Sequence, residues 1–419
     1  MFPLIASIGL LAVGMYSTTW GPTMIGAKEW ALPYDIWGTL IAAVRLAHLN
    51  IGGLYTSPTG LVSLPGAVVI LVPCAAIISA AGLSLQIPGP HNLHPPVWLL
   101  AGPYQIAVCC VTLFAADALA ERLGVSFWKR ALLSAASAGI LWSPSARWGH
   151  PEDAVAVGLL LYAILAQSQS RNVLAGWLAG AAVCVQPLVL LAFPVMLALM
   201  PWRRMPLFLT RAALPSAVLL GAAAIANWHA TYTSVTSQPN SPIINHPTAW
   251  TSLAPHMSGG NVAAGPARLA TVVLAFCCAL IVRRRWMAQV SAGDAAAAGR
   301  GAGDWWPTPV LADVLWWAAL TLALRSFFEP VMVSYYPWPP MAVALIPAAT
   351  LGWWRLTIAG VIAGGLTAAA QGPSHDVWIW WAPLVAGLAL MLLVASPSPV
   401  LPGHFRQSRR RREAILTPD

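Results

Sequence analysis

The segment from residue 376 to residue 396, DVWIWWAPLVAGLALMLLVAS, carries no charge beyond its first position. A helix of about 20 such residues crosses the hydrocarbon core of a bilayer, and further apolar windows lie near 354–371, 337–352, 308–325, 266–283 and 208–227. In lipid every backbone N–H and C=O must be satisfied within the protein, which leaves helices and closed barrels as spanning structures. The windows lack the period-two alternation that a barrel strand requires. Composition agrees, because 58% of the 419 residues are hydrophobic and 8% are charged, against about 25% charged in soluble domains. The expected fold is all-α, a polytopic transmembrane helical bundle.

A net charge of +9 would suit nucleic acid, but the basic residues gather in short clusters beside apolar segments: Arg203-Arg204, Arg283-Arg284-Arg285 and Arg409 to Arg412. Such clusters are topology signals that favour the cytoplasm, so no nucleic-acid partner is expected. The six cysteines lie inside apolar stretches without metal-ligand spacing and are small membrane-core residues. The first apolar run, Phe2 to Tyr16, lacks the basic flank and small-residue cleavage site of a signal peptide and is expected to be retained.

Counting back from a cytoplasmic C-terminus places all three basic clusters inside. Residues 173–185 and 187–201 then form a hairpin with Gln186-Pro187 at its outer turn, and further crossings fall near 153–168, 131–148 and 97–119. Residues 61–83, LVSLPGAVVILVPCAAIISAAGL, are broken by Pro65 and Pro73 and are expected to re-enter, since a membrane tolerates broken backbone where it is buried in protein. The result is about twelve crossings plus one re-entrant segment in the plasma membrane, with both termini cytoplasmic and an extracytoplasmic working face. It divides into a module 1–204 with a first outer loop 20–62, a module 205–400 with an outer loop 228–265, and a basic tail 401–419. The inner loop 287–304 has the Ala/Gly composition of a flexible connector. No nucleotide-binding glycine pattern is present.

Four polar groups stand out on the outer side. In the first loop, Ile36, Leu40, Ala43, Val44 and Ala47 recur at helical spacing while Arg45 and His48 interrupt them, so this segment suits an interfacial helix with Asp35 at its N-cap. Capping explains Asp35 without chemistry. Arg147, His150, Glu152 and Asp153 mark the start of another helix, where Pro151 and the acids again fit capping and Arg147 with His150 fits an anionic headgroup. Arg325, Glu329, Tyr335, Tyr336 and Trp338 form the third group. An aromatic belt accounts for its rings, whereas an arginine at the outer end of a helix runs against the positive-inside bias and suits a phosphate. The loop 228–265, rich in Ser, Thr, Asn, Pro and aromatics, is either a solvated connector or a sugar-binding surface.

The first-loop sequence DIWGTLIAAVRLAHLNIGGLY followed by SLPGAVVILVP resembles the C-type glycosyltransferases that use polyprenyl-phosphate sugars, and so do GHPEDAVAVGLLLYAIL, RNVLAGWLAGAAVCVQPLVLLAFPVML and WRR. The pattern looks most like the mycobacterial mannosyl- and arabinosyltransferase-like members and covers residues 1–204. The resemblance implies a catalytic base at Asp35, with Glu29 as a lesser candidate at the same position. It implies donor-phosphate contacts from Arg147, His150 and Arg325, and acceptor or sugar contacts from Glu29, Glu152, Asp153, Tyr335 and Tyr336. The partners would be a polyprenyl-phosphate sugar donor, a glycan or glycolipid acceptor and membrane lipids. Relatives often carry paired acids in the first loop, so a divalent metal cofactor stays open, and often a lysine where Gln186 stands, so activity itself stays open. Two other readings remain, a transporter or lipid flippase and a catalytically silent relative.

Overall fold

A computed structural model of the chain describes residues 1–20, 35–57, 61, 63–83, 85, 97–237, 239–291 and 306–397. Glu29 with the rest of residues 21–34 in the first outer loop, most of the loop 287–304 and the basic tail 401–419 lie outside the described residues.

Seventeen α-helices are defined among the described residues. The first is α1 (Phe2–Trp20). The first-loop helix follows as α2 (Ile36–Ala47), and the proline-broken segment forms two pieces, α3 (Pro65–Val69) and α4 (Val72–Ala80). Next come α5 (Trp98–Cys109), α6 (Val111–Arg122), α7 (Phe127–Trp142), α8 (Pro151–Ser168) and α9 (Asn172–Val185). Then follow α10 (Phe193–Ala198), α11 (Met205–Ala226), α12 (Trp228–Thr236) and α13 (Pro266–Ser291). The last four are α14 (Thr308–Phe328), α15 (Trp338–Thr350), α16 (Trp353–Ala369) and α17 (Ala382–Ala395). Five helical stretches, Trp98–Arg122, Trp202–Ala226, Pro266–Met287, Thr308–Phe328 and Val377–Ala395, are long and apolar enough to cross a membrane. They coincide with five expected windows. The other windows also contain helix, but their helices are shorter or less apolar.

Prolines set several of these limits. Pro187 and Pro194 lack N–H donors, so the expected helix 187–201 becomes a 3₁₀ run, Pro187–Ala192, followed by the short α10. Segment 61–83 breaks between Val69 and Val72, and each piece carries a proline in its first turn. The break lets α3 press against the end of α9. A Cβ on Gly66 would stand 2.4 Å from the Cys184 carbonyl oxygen, so any larger side chain would push the two helices apart. This contact ties segment 61–83 to the bundle.

The main core runs through both halves, from Ile106 and Leu113 through Leu160, Val195 and Leu322 to Leu345, Leu388 and Met391. A second, smaller core joins α2 to α3, α4 and α5 through Ile36, Trp37, Leu40, Leu71, Ile78 and Trp98. It holds α2 in place beside the start of α8.

Loop 228–265 keeps most of its described side chains exposed or partly exposed, and it is tied down at one place. Its strand β1 (His246–Pro247) pairs antiparallel with β2 (Val331–Met332). The Thr248 hydroxyl donates to the Glu329 carbonyl at 2.7 Å, and Trp250 Nε1 donates to the Phe327 carbonyl at 2.6 Å. These partners are distant in sequence, which is why composition alone misses them.

Candidate active site

Asp35 occupies the N-cap position of α2 with helical φ and ψ of −67° and −26°, and its side chain accepts no bond from the helix it precedes. Capping therefore does not explain the carboxylate. Its Oδ2 instead lies 3.0 Å from His150 Nε2, between residues 115 apart in sequence. On its other side, His150 Nδ1 lies 2.7 Å from Glu152 Oε1. One imidazole thus bridges two carboxylates.

The local sequence presents His150 there. A π-helical turn, Ser143–Arg147, ends α7, and Gly149 adopts φ +69°, the left-handed region open to glycine. The turn is closed by the His150 N–H donating to the Pro144 carbonyl at 2.7 Å, and Pro151 then starts α8. Glu152 and Asp153 occupy the first turn of α8 as expected, but they are only 5% and 2% exposed. Carboxylates that buried require partners. Glu152 has His150, and Asp153 Oδ1 accepts from Gln186 Nε2 at 2.8 Å.

The protonation state follows from these contacts. Burial favours a neutral His150, but the Glu152 charge and the hydrogen bonds to both carboxylates outweigh it and hold the imidazole well above its usual range. It is an imidazolium donating through both nitrogens. Burial would likewise raise Asp35, yet the His150 hydrogen bond and charge prevail and hold the carboxyl below its usual range. The Asp35 side chain is 43% exposed, so its Oδ1 remains approachable while Oδ2 is held.

Tyr335 covers the array. Its ring centroid lies 4.1 Å from that of His150 at 31°, and Tyr336 meets Tyr335 edge-on at 5.5 Å. Burial, joined by Tyr336 and the carboxylates of Asp153, Asp35 and Glu152, keeps the Tyr335 phenol protonated, well above its usual range. Arg325, at the end of α14, stacks its guanidinium 3.8 Å over the Tyr336 ring. Its Nε is 4.0 Å from Glu329 Oε2. Glu329, 2% exposed, is bound directly by Arg268 from the first turn of α13. Arg147 stacks 5.6 Å over both Trp142 and Trp148, and Trp148 Nε1 donates to Gln371 Oε1 at 2.9 Å.

The structure thus gathers Asp35, His150, Glu152, Asp153, Arg325, Tyr335 and Tyr336 at one end of the bundle, with Arg147 on the neighbouring tryptophan pair. Glu29 lies outside the described residues. Sequence reading passed over Arg268 and Gln371, and treated Gln186 only as a departure from pattern. Arg268 had a usable signal, because it starts a helix on the same side as Arg325 and runs against the same charge bias. Among the described residues no group of three His, Cys, Asp or Glu side chains is placed to hold a metal ion. His150 commits both nitrogens to carboxylates.

The chain matches no protein-family model and no curated protein.

Proposed function

We propose that the chain is an integral-membrane glycosyltransferase that moves a sugar, mannose or another cell-envelope sugar, from a polyprenyl-phosphate donor to an extracytoplasmic glycan or glycolipid acceptor. The observation that carries this reading is the half-exposed Asp35 carboxylate fixed by a buried His150–Glu152 pair. An acceptor hydroxyl attacks the anomeric carbon, its proton passes to Asp35, and the bond from that carbon to the phosphate oxygen breaks with its electron pair leaving on the phosphate. A carboxylate held below its usual range is a weak base at rest. It suffices here because the hydroxyl turns strongly acidic as its oxygen bonds to the sugar, so the proton moves within that step.

His150 holds Asp35 in place and adds positive charge near the departing phosphate, and Arg325 supplies a planar fork of donors for that phosphate. Tyr335 and Tyr336 offer ring faces to a sugar. The neutral Gln186 amide already satisfies Asp153, so this site does not need the lysine common at that place in the relatives it resembles. In this reading the helices make twelve crossings, segment 61–83 re-enters, both termini are cytoplasmic, and the site faces outward from the plasma membrane.

The transporter reading is less supported. Asp117, an acid inside a candidate span, is locked to Arg130 by two hydrogen bonds of 2.7 Å each. The test is transfer of radiolabelled sugar from a polyprenyl-phosphate donor by purified wild type and Asp35→Asn in proteoliposomes. The variant is expected to insert normally and lose transfer. Equal turnover by the two proteins removes the catalytic assignment, and solute or lipid movement without transfer replaces the reading with transport.

A further inference from the structure

Glu329 is a buried carboxylate with two arginines in reach, and the geometry divides them unequally. Arg268 takes both oxygens, with Nε 3.3 Å from Oε2 and its NH2 group directly on Oε1. Arg325 is left with one contact to Glu329, at 4.0 Å, beyond hydrogen-bonding distance. It makes no hydrogen bond with any described residue, and its guanidinium carbon sits 3.8 Å from the centroid of the Tyr336 ring. A guanidinium has five N–H donors, and one that is three-quarters withdrawn from water, with 22% of its side chain exposed, ordinarily satisfies several of them.

The carboxylate is not free to choose differently. Its backbone is pinned by Thr248, whose hydroxyl donates to the Glu329 carbonyl at 2.7 Å, and by Thr251, which donates to the Pro330 carbonyl at 2.6 Å. Asp153 is the other acid within electrostatic range of Arg325, and Gln186 already donates to its Oδ1. Without Arg268 the nearest cation for Glu329 is Arg325, a small side-chain rotation away.

We propose that Arg268 is a positioning residue. By occupying both Glu329 oxygens it stops that carboxylate from neutralising Arg325, whose donors stay open for the phosphate group of an isoprenyl phosphate. The proposal rests on the functional reading above for its ligand, a lipid phosphate, but its test needs no sugar transfer. The full chain in detergent is titrated with geranylgeranyl phosphate, with geranylgeraniol lacking the phosphate, and with inorganic phosphate, followed by tryptophan fluorescence.

Wild type is expected to prefer geranylgeranyl phosphate to the alcohol by at least about tenfold, the worth of one charge-assisted hydrogen-bond set. Arg268→Gln should lose that preference. The double variant Arg268→Gln/Glu329→Gln should regain it to within about threefold, since the competing carboxylate is gone. Removing Arg268 leaves Glu329 as an unpaired buried charge that Glu329→Gln relieves, so thermal melts accompany the titrations: loss of preference in a single variant that melts as wild type is positioning, and loss that only tracks a lowered melting temperature overturns the proposal. The proposal is overturned if wild type shows no preference, if Arg268→Gln keeps it, or if the double variant stays as weak as the single one, which would make Arg268 a direct phosphate contact. Inorganic phosphate competing as well as the lipid, with the same dependence on Arg268, supports the positioning role and assigns the ligand to free phosphate. Failure of glycosyl transfer alongside the expected binding pattern would overturn only the enzyme reading.

Discussion

The two ends of the helical bundle use charge with different emphasis, although Arg45 at the site end also donates to the Gly53 and Thr56 carbonyls and Arg283 and Arg355 at the other end also stack on Trp202 and Trp354. At the end away from the candidate site, cations are spent on backbone: Lys129 binds the Leu351 carbonyl after α15, Arg283 donates to the Ala198 carbonyl at the end of α10, and Arg355 donates to the Ser396 carbonyl after α17. Each satisfies a helix C-terminus that would otherwise present orphan carbonyls. Arg122 likewise donates to the Trp306 carbonyl at 2.9 Å, and Arg130 is held by Asp117 and Glu121. At the site end His150, Arg268 and Arg325 instead face carboxylates and aromatic rings. Charges that cap helices serve the fold, whereas charges clustered against each other at low exposure store polarity for a ligand.

The division can be tested from both sides. The largest effect is expected from Asp35→Asn, where transfer should fall by about 10²–10⁴-fold, the usual worth of a positioned base, with a modest drop in melting temperature from the lost pairing with His150. A large loss of stability in that variant would blur the distinction. At the other end, Asp117→Asn should cost about 3 kcal/mol by leaving Arg130 with only Glu121, while turnover per folded molecule stays at the wild-type level. Thermal melts paired with transfer assays read both quantities, and a turnover defect without a stability loss would mean that this end takes part in the chemistry.

A subtler probe is pH. The raised His150 contributes stability that is fully present below its ordinary value of 6.5 and is lost as pH climbs through its elevated folded-state value. The lowered Asp35 contributes above its ordinary value of 3.8 and loses that contribution as pH drops through its depressed folded-state value. The paired state is therefore strongest between those two ordinary values and weakens on the alkaline side. Melting temperatures from pH 6 to 10 should decline more steeply for wild type than for His150→Gln, and parallel curves would deny the coupling. The smallest effect is expected from Thr248→Val, about 2 kcal/mol, because the hydroxyl both donates to the Glu329 carbonyl and accepts from the Trp250 N–H. It should also lower transfer severalfold by loosening the segment that leads to Tyr335, and unchanged kinetics would show that the loop is independent of the site.

Much of this was legible before any coordinates. Apolar windows found the helices because in lipid a spanning segment must satisfy its own backbone. Prolines marked the broken segment 61–83, whereas the break that Pro187 and Pro194 put into the second arm of the 173–201 hairpin went unforeseen. What sequence concealed was partnership. Asp35 read locally as a cap because its true partner, His150, stands just ahead of another helix, and loop 228–265 read as a connector because Thr248 and Trp250 find acceptors beyond α13. Arg268 escaped notice because a single arginine beside a proline resembles ordinary loop chemistry until Glu329 is set against it.

The stacking of Tyr335 on His150 also has a consequence for biogenesis. Asp35, His150 and Glu152 are all synthesised early, so their ion pairs can form while the later helices are still being made. Until residue 335 leaves the ribosome and β1 finds β2, the imidazolium has no aromatic roof and Arg325 has no Tyr336 beneath it. A nascent chain halted before that point would carry the acid and its histidine open to solvent, and the site would acquire its shape only when the last third of the protein folds down onto the first.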